Sequence, residues 1–451
     1  MKAGKKKWIW IAGWALLPFA GISQKAGTGS EVHEFSVQQA LEYAQKNNVQ
    51  VKNALLDVKI QQQTNREVTG TAYPQINGSG SIVYNYKLPV SLVPAEFFGG
   101  TPGTFEKIAF GVKWGSTAGL SLSQILFDGQ VFVGLKARNT LIDFQEKNVE
   151  ITEEAIRANI YKIYYQLAVS RTQIDLLDAN IALLDKLAHD TKIMYDNGFA
   201  EKLDIDKLSV QIANLNTEKI NALNQIANGY LGLKVLMGMP VKDSLVLTDT
   251  LSDEQIKTGI LEASDFDYTQ RRDYQYTQLG VKLNEFDIRR YKMAKIPTLS
   301  LNGYYNKNAQ RNKFDVFGKG DWFDISAFTL SLNIPIFNGF ANNARIAKAR
   351  LALRKSVNQQ EALKINIDNE IQTATNNFNS AIANLDYQKK NMGLAETVFQ
   401  QTKKKFEVGT GSQTEINQAQ TDMKAAQTNY INSLYNAVIA RVDFLKATGK
   451  L

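Results

Sequence analysis

From Pro74 onward the chain alternates. Ile76, Gly78, Gly80, Ile82, Tyr84 and Tyr86 fall on one parity, while Gln75, Asn77, Ser79, Ser81 and Asn85 fall on the other. The period of two returns where Leu120 and Leu122 alternate with Ser121 and Ser123, from Leu299 to Asn306, and from Phe328 to Ile334. Successive side chains of a strand point to opposite faces, so each run predicts a strand with one apolar and one polar face. A different period governs 130–195, which contains no proline. There Ile156, Ile160, Ile163, Leu167, Ile174, Leu177, Ile181, Leu184 and Leu187 mark a narrow heptad seam. Ile367, Ile371, Ala374, Phe378, Ile382 and Leu385 mark a second. The spacing predicts two helices of about 65 residues, each on the order of 100 Å long. Their other faces carry Gln, Asn, Lys and Asp and so meet water. Turn signals at Asn197-Gly198 and Gly409-Thr410-Gly411 send the chain back along helices ending near Leu236 and Ala447.

The elements come twice. Leu120 to Gly129 is echoed by Leu330 to Gly339, 210 positions on. Tyr195-Asp196-Asn197-Gly198 returns as Phe406-Glu407-Val408-Gly409, and Met237-Gly238 as Thr448-Gly449, each 211 positions on. Constant spacing of ordered landmarks indicates a tandem repeat. We expect residues 24–239 to form the first repeat and 268–451 the second. Residues 240–267 then form a connecting, equatorial segment. The stretches 87–116 and 307–322, rich in Gly, Pro, Phe and Lys, read as loops between strands.

The start of the chain changes the picture. Lys2, Lys5, Lys6 and Lys7 precede the apolar run Trp8 to Ala20 and then Gly21-Ile22-Ser23. This is the layout of a secretory signal peptide, assigned to residues 1–23. An uncleaved anchor is the other reading, but the run is shorter than the ~20 residues a spanning helix needs. Without these residues the net charge drops from +8 by four lysines, to about +4, so half the basic excess belongs to targeting. No nucleic-acid patch remains. The chain has no cysteine, which excludes disulfides, thiolate metal sites and a lipidated N-terminal cysteine.

A membrane-embedded form must therefore be a closed barrel, because only helices and closed barrels satisfy every backbone group in lipid. Four strands cannot close one, since the smallest have about eight. Identical chains would have to share it, and a transporting lumen favours three copies and twelve strands over two and eight. The strand signals alone fit a half-buried soluble sheet equally well.

The duplicated order of elements, the paired exits Phe127-Asp128-Gly129 and Phe337-Asn338-Gly339, and the aromatic-x-x-Gly tips resemble the TolC-type outer-membrane efflux protein family. The resemblance covers nearly the whole chain after residue 23. It implies a mixed α/β membrane protein in which a trimeric 12-stranded barrel, four strands per chain, continues into a long α-helical periplasmic barrel. It also implies a Gram-negative outer-membrane location, and a homotrimer docked to a periplasmic adaptor and, indirectly, an inner-membrane pump. The function implied is a passive exit duct of a tripartite efflux or type I secretion system.

By the same resemblance, the adaptor-contact tips are Asn197, Gly198, Phe199, Val408, Gly409 and Thr410. The periplasmic gate maps onto Asp204, Phe406, Glu415 and Gln418. The match is incomplete. Phe406 lacks the hydroxyl of the family's tyrosine, Gln418 lacks the second acid, and Gly411 stands where an arginine is expected. Asp204 and Glu415 are left as a weaker cation-binding ring, against the plainer reading of a solvated helix face. No catalytic motif is present, and His33 and His189 read as solvated surface residues, so no enzyme, cofactor or metal site is expected. The alternative from another class is a non-conducting periplasmic coiled-coil scaffold.

Overall fold

The structure, a computed structural model, describes residues 32–249, 256, 266–315, 318 and 320–451. The expected signal peptide and most of 250–265 lie outside the described residues. Strand β1 (Val32–Phe35) leads into α1 (Val37–Asn47) and α2 (Val49–Gly70). Then come β2 (Gln75–Tyr84), β3 (Val90–Pro94), β4 (Phe105–Ala109) and β5 (Trp114–Phe127). Helices α3 (Gly129–Asp196) and α4 (Lys202–Met237) follow, and then β6 (Ser244–Leu247). Helix α5 (Arg272–Met293), strands β7 (Thr298–Arg311) and β8 (Phe323–Asn333), and helices α6 (Ala341–Glu407) and α7 (Gln413–Ala447) complete the chain.

Helices α3 and α6, 68 and 67 residues long, span about 100 Å each. Both extend through two tiers. Nearer the sheet, α2, α3, α5 and α6 lie side by side in that order; nearer the tips the order is α4, α3, α7, α6. The heptad positions hold these contacts. Ile156, Ile160, Leu167, Leu177, Leu184 and Leu187 on α3, and Ile367, Ala374, Phe378 and Leu385 on α6, are all buried. Covering a leucine or isoleucine contributes roughly 1.5–3 kcal/mol, so the seam stabilises helices whose outward faces are polar.

The ends of these helices are specified locally. Ser36 and Gln39 form a capping box at α1. Asn48 caps α2 through the amides of Gln50 and Val51, at 2.7 and 3.1 Å. Asp128 caps α3 through Gln130 at 2.8 Å. The second strand exit is built differently: Gly339 and Phe340 both take positive φ, 61° and 64°, and α6 starts two residues later than its counterpart would.

Two elements depart from the sequence reading. Residues 87–116 are not simply a loop: β3 and β4 pair as a second hairpin, and β5 already starts at Trp114. The ladder passes through Asn85–Lys113 and Phe110–Pro89 backbone bonds, so the hairpin continues the β2–β5 pair. Likewise β7 runs to Arg311, inside the expected second loop. His33 is half-buried, 3.7 Å from Asp243 with its ring tilted against Phe35 and Tyr43, because β1 pairs in parallel with β6 of the connecting segment. That pairing spans over 200 residues and had no local signal.

Candidate functional site

The four long strands form one antiparallel sheet in the order β2-β5-β7-β8. Its register places most of the apolar side chains nearer the helices on one face. Ile76 pairs with Leu122, Gly78 with Leu120, Leu120 with Tyr305, and Leu301 and Leu299 with Leu330 and Leu332. These residues share one face with Phe328, whose ring lies over Gly303: a Cβ at 303 would come within 2.7 Å of it. Phe328, Leu330 and Ile76 are 78%, 63% and 69% exposed, so this apolar face is uncovered in the single chain. At the end far from the helices the same face carries Tyr84 against Trp114, ring centroids 4.5 Å apart, and Trp114 against Phe314 at 4.8 Å. From Leu299 to Tyr305 the apolar band runs about 20 Å along the strand. This face resembles the aromatic-bordered apolar band, about 25 Å tall, that outer-membrane barrels turn toward lipid.

Both edges of the sheet, β2 and β8, lack a strand partner among the described residues. The ten residues of β2 are exposed throughout. An open sheet edge in lipid costs several kcal/mol per unpaired group, so these edges require further strands. The helical layer has matching open sides. Leu55, Leu56 and Ile60 on α2, Val210, Ile220 and Leu223 on α4, and Leu351, Ile365 and Leu394 on α6 are exposed apolar residues at its two borders.

At the other end of the molecule the two tips are built alike. Gly198 and Gly409 take φ of 79° and 77°, a conformation that glycine adopts without the Cβ clash. The next amide then reaches back five residues, Phe199 to Met194 at 2.8 Å and Thr410 to Lys405 at 2.9 Å, closing each helix end. Asn197 additionally bonds the Ile193 carbonyl through its side chain at 2.7 Å. The turns leave Phe199 and Val408 79% and 73% exposed.

The expected gate residues take distinct places. Asp204 and Glu415 occupy the same position, third in the first turn of α4 and of α7, where a carboxylate is favoured by the helix dipole. Asp204 lies 3.7 Å from Lys207. Glu415 closes a capping box with Ser412, and Gln418 donates to Asp422 at 2.9 Å. Phe406 is half-buried against Phe399, Ile416 and Leu187, and with Leu183, Met194 and Gly409 lines a groove of about 320 Å³. Gly411 is tightly set: a Cβ there would lie 3.0 Å from the Phe406 amide nitrogen, so a larger residue would force the turn to shift.

Sequence reasoning missed an ionic belt midway along the helices. Arg271, 6% exposed, bonds Asp273, Glu370 and the Ala447 carbonyl, and Arg272 reaches Glu154 at 2.6 Å. Burial works against the charge of Arg271, but Asp273 and Glu370 outweigh it and hold its pKa above the ordinary value. One dipeptide thereby ties α3, α5, α6 and α7. In the first half Asn48 has the equivalent job, donating to the Leu236 carbonyl at 2.6 Å, and Leu236 lies 211 positions before Ala447. Gly238 and Gly449 then fit against the backbones of Asn47 and Gln270, respectively. An arginine pair and scattered single acids carry no periodic signal, and only the proximity of the four helices makes them a cluster.

Known proteins share this arrangement. Residues 269–450 match the family described as outer membrane efflux protein. The chain is similar to outer membrane protein TolC of Vibrio cholerae, 20% identical over 340 residues, covering 74% of this chain and 77% of that one. It is similar to outer membrane efflux protein BepC of Brucella suis, 22% identical over 432 residues, covering 94% and 87%. Among solved structures, CusC superposes with a TM-score of 0.77 at 18% identity over 95% of both chains. VceC of Vibrio cholerae gives 0.70 at 15% identity, over 92% of this chain and 96% of that one. The mixed α/β, mostly helical fold is thus shared from end to end. The chain thus resembles the outer membrane efflux proteins, by the family match over residues 269–450 and by relatives of the same kind aligned over 94% of its length.

Proposed function

We propose that three copies of this chain form an outer-membrane exit duct, a 12-stranded barrel continued by a periplasmic tunnel of long helices. The observation that carries this reading is the open four-stranded sheet, apolar on one face and polar on the other, with both edges unpaired. A ring of identical chains pairs β8 of each protomer with β2 of the next and closes the backbone bonding that lipid demands. The exposed apolar borders on α2, α4 and α6 support the same ring lower down. A soluble coiled-coil scaffold would leave the face bearing Phe328 and Leu330 in water, which argues against it.

In this reading residues 1–23 are the export signal, 24–239 and 268–451 are the two repeats, and 240–267 is the equatorial connector. The matched roles of Asn48 and Arg271, and of the two tip glycines, support the repeat. The tips Asn197 to Phe199 and Val408 to Thr410 meet a periplasmic adaptor, which couples the duct to an inner-membrane pump. Asp204 and Glu415 form a cation-favouring ring at the periplasmic mouth, with Phe406 packing in place of the polar lock that Phe406, Gly411 and Gln418 cannot make. The duct moves cargo delivered to it and breaks no bonds.

Negative-stain electron microscopy of the detergent-extracted full chain, averaged without imposed symmetry, tests the reading. Threefold tapered tubes on the order of 100 Å or more in length are expected. Single rods, or twofold particles without a lumen, would overturn it.

A further inference from the structure

The face of the sheet opposite the apolar band carries Gln75, Asn77, Ser79 and Ser81 on β2, and Thr117, Gly119, Ser121 and Ser123 on β5. On β7 and β8 it carries Ser300, Asn302, Asn306 and Asn308, and Thr329, Ser331 and Asn333. This wall contains no Asp, Glu, Lys, Arg or His. Strands β2 and β5 have no charged residue at all, and the charged residues of β7 and β8, Lys307, Arg311 and Asp324, all take the other parity. There Lys307 and Tyr305 both contact Asp324, at 3.3 and 3.0 Å. Beyond the hydroxyls and amides, the distal end of the wall turns apolar: Val83, Phe323 and Ile325 stand exposed in the rows of Gln310, Asn308 and Asn306.

Close packing reinforces this composition. A Cβ at Gly119 would meet the Asn306 side-chain oxygen at 1.9 Å and the Tyr305 carbonyl at 2.6 Å. The glycine thus lets the Asn306 amide lie flat across the neighbouring strand. Serine, threonine and asparagine keep the wall wetted without fixing a potential. A ring of like charges would instead focus counter-ions and change local concentrations and entry rates by about tenfold or more.

Resting on the duct reading, we propose that the strand-walled section is indifferent to the sign of its cargo's charge. Neutral, cationic and anionic solutes of the same girth pass this wall alike, and any charge preference of the duct arises in its helical section.

The absence of native cysteine allows a direct test. Single cysteines at Ser79, Ser121 and Thr329 on the polar face, and at Ile76, Leu120 and Leu330 on the apolar face, are introduced into the full chain in proteoliposomes. Each is treated with cationic and anionic thiosulfonates of similar size. Polar-face cysteines are expected to react with both reagents at rates within about threefold once each is divided by its rate with free 2-mercaptoethanol, against the tenfold or greater separation of a charged ring. Apolar-face cysteines stay unlabelled. Adding a carboxylate by Asn302→Asp in the Ser121→Cys background should shift the ratio toward the cation.

Tenfold or greater charge discrimination at Ser79, Ser121 and Thr329 would overturn the inference while leaving the duct standing. An insensitive ratio in the Asn302→Asp variant would overturn it too, by showing that this wall does not govern what passes. Labelling confined to the apolar face, or absent from both faces, would sink the duct reading itself and the inference with it.

Discussion

Ser412 and Glu415 hold each other at the start of α7: the Ser412 hydroxyl accepts from the Glu415 amide at 3.2 Å, and the Glu415 carboxylate accepts from the Ser412 amide at 3.3 Å. A glutamine can make the same pair of bonds. Glu415→Gln therefore removes charge while keeping the cap. Its thermal stability should stay within about 0.5 kcal/mol of the parent, while cation preference in bilayer recordings falls. Ser412→Ala should cost about 1 kcal/mol. If Glu415→Gln leaves conductance and cation preference unchanged, Glu415 is a capping residue and no part of a gate.

The tips separate folding from docking. Phe199 is exposed and its side chain closes no core, so Phe199→Ala should change stability by no more than about 0.5 kcal/mol. Capture by a periplasmic adaptor, measured by surface plasmon resonance, should weaken severalfold. Gly198→Ala, at φ 79°, strains the turn and should cost about 1 kcal/mol. Unweakened binding by the Phe199 variant would remove this tip from the contact surface.

Gly119 tests the sheet. Because a Cβ there collides with the Tyr305 carbonyl as well as Asn306, Gly119→Val cannot be relieved by a rotamer change alone. The β5–β7 ladder should open, and the heat-modifiable band expected of the assembled barrel should vanish on gels. Ser121→Val, two residues along on the same face and exposed, should keep that band. A folded, heat-modifiable Gly119 variant would refute the close packing of these strands.

The ionic belt and its counterpart in the first half should both matter for stability. Asn48→Ala removes a buried helix cap and a bond to α4, and should cost about 1–2 kcal/mol. Arg272→Ala leaves the Glu154 carboxylate, whose side chain is 10% exposed, without its short contact. A cost of about 3 kcal/mol is expected for stranding a buried charge. Differential scanning calorimetry would check both, and equal, near-zero losses would count against the belt.

Tyr164 gives a pH dependence. Its hydroxyl donates to the Phe35 carbonyl at 2.9 Å and accepts from the Asp249 amide at 3.2 Å, and burial pushes its pKa up. A folded value above the unfolded one, about 10, means that its stabilisation is complete below pH ~10 and is lost as pH rises through the folded value. Tyr164→Phe should cost about 1 kcal/mol at neutral pH and flatten the alkaline fall of the melting temperature. A variant whose alkaline profile superposes on the parent would place that fall on another group.

The capping and periodicity of single segments were written locally, which is why so much of the architecture was legible. Most of the expected heptad positions of α3 and α6 are buried, with Ile163, Ile174, Ile181, Ile371 and Ile382 partly so; the alternating runs at 75–84 and 323–333 are strands, and the tip glycines have positive φ. These depend on contacts within a few residues or on one repeating face, and such patterns survive in a linear string. The surroundings of the expected gate residues were less legible. Asp204 and Glu415 were mapped by resemblance, yet their helix-terminal positions and the capping bond of Glu415 emerged only with the backbone.

The sequence by itself determined element types, the amphipathic faces and the absence of cysteine chemistry. Tertiary structure alone decided which strands are neighbours, that β1 lies along β6, and that Arg271 and Arg272 bind four helices together. It also decided that every charge in the sheet falls on one face. The reason is physical: periodicity encodes which way a side chain points, whereas register and long-range pairing depend on loop closure and packing between segments hundreds of residues apart.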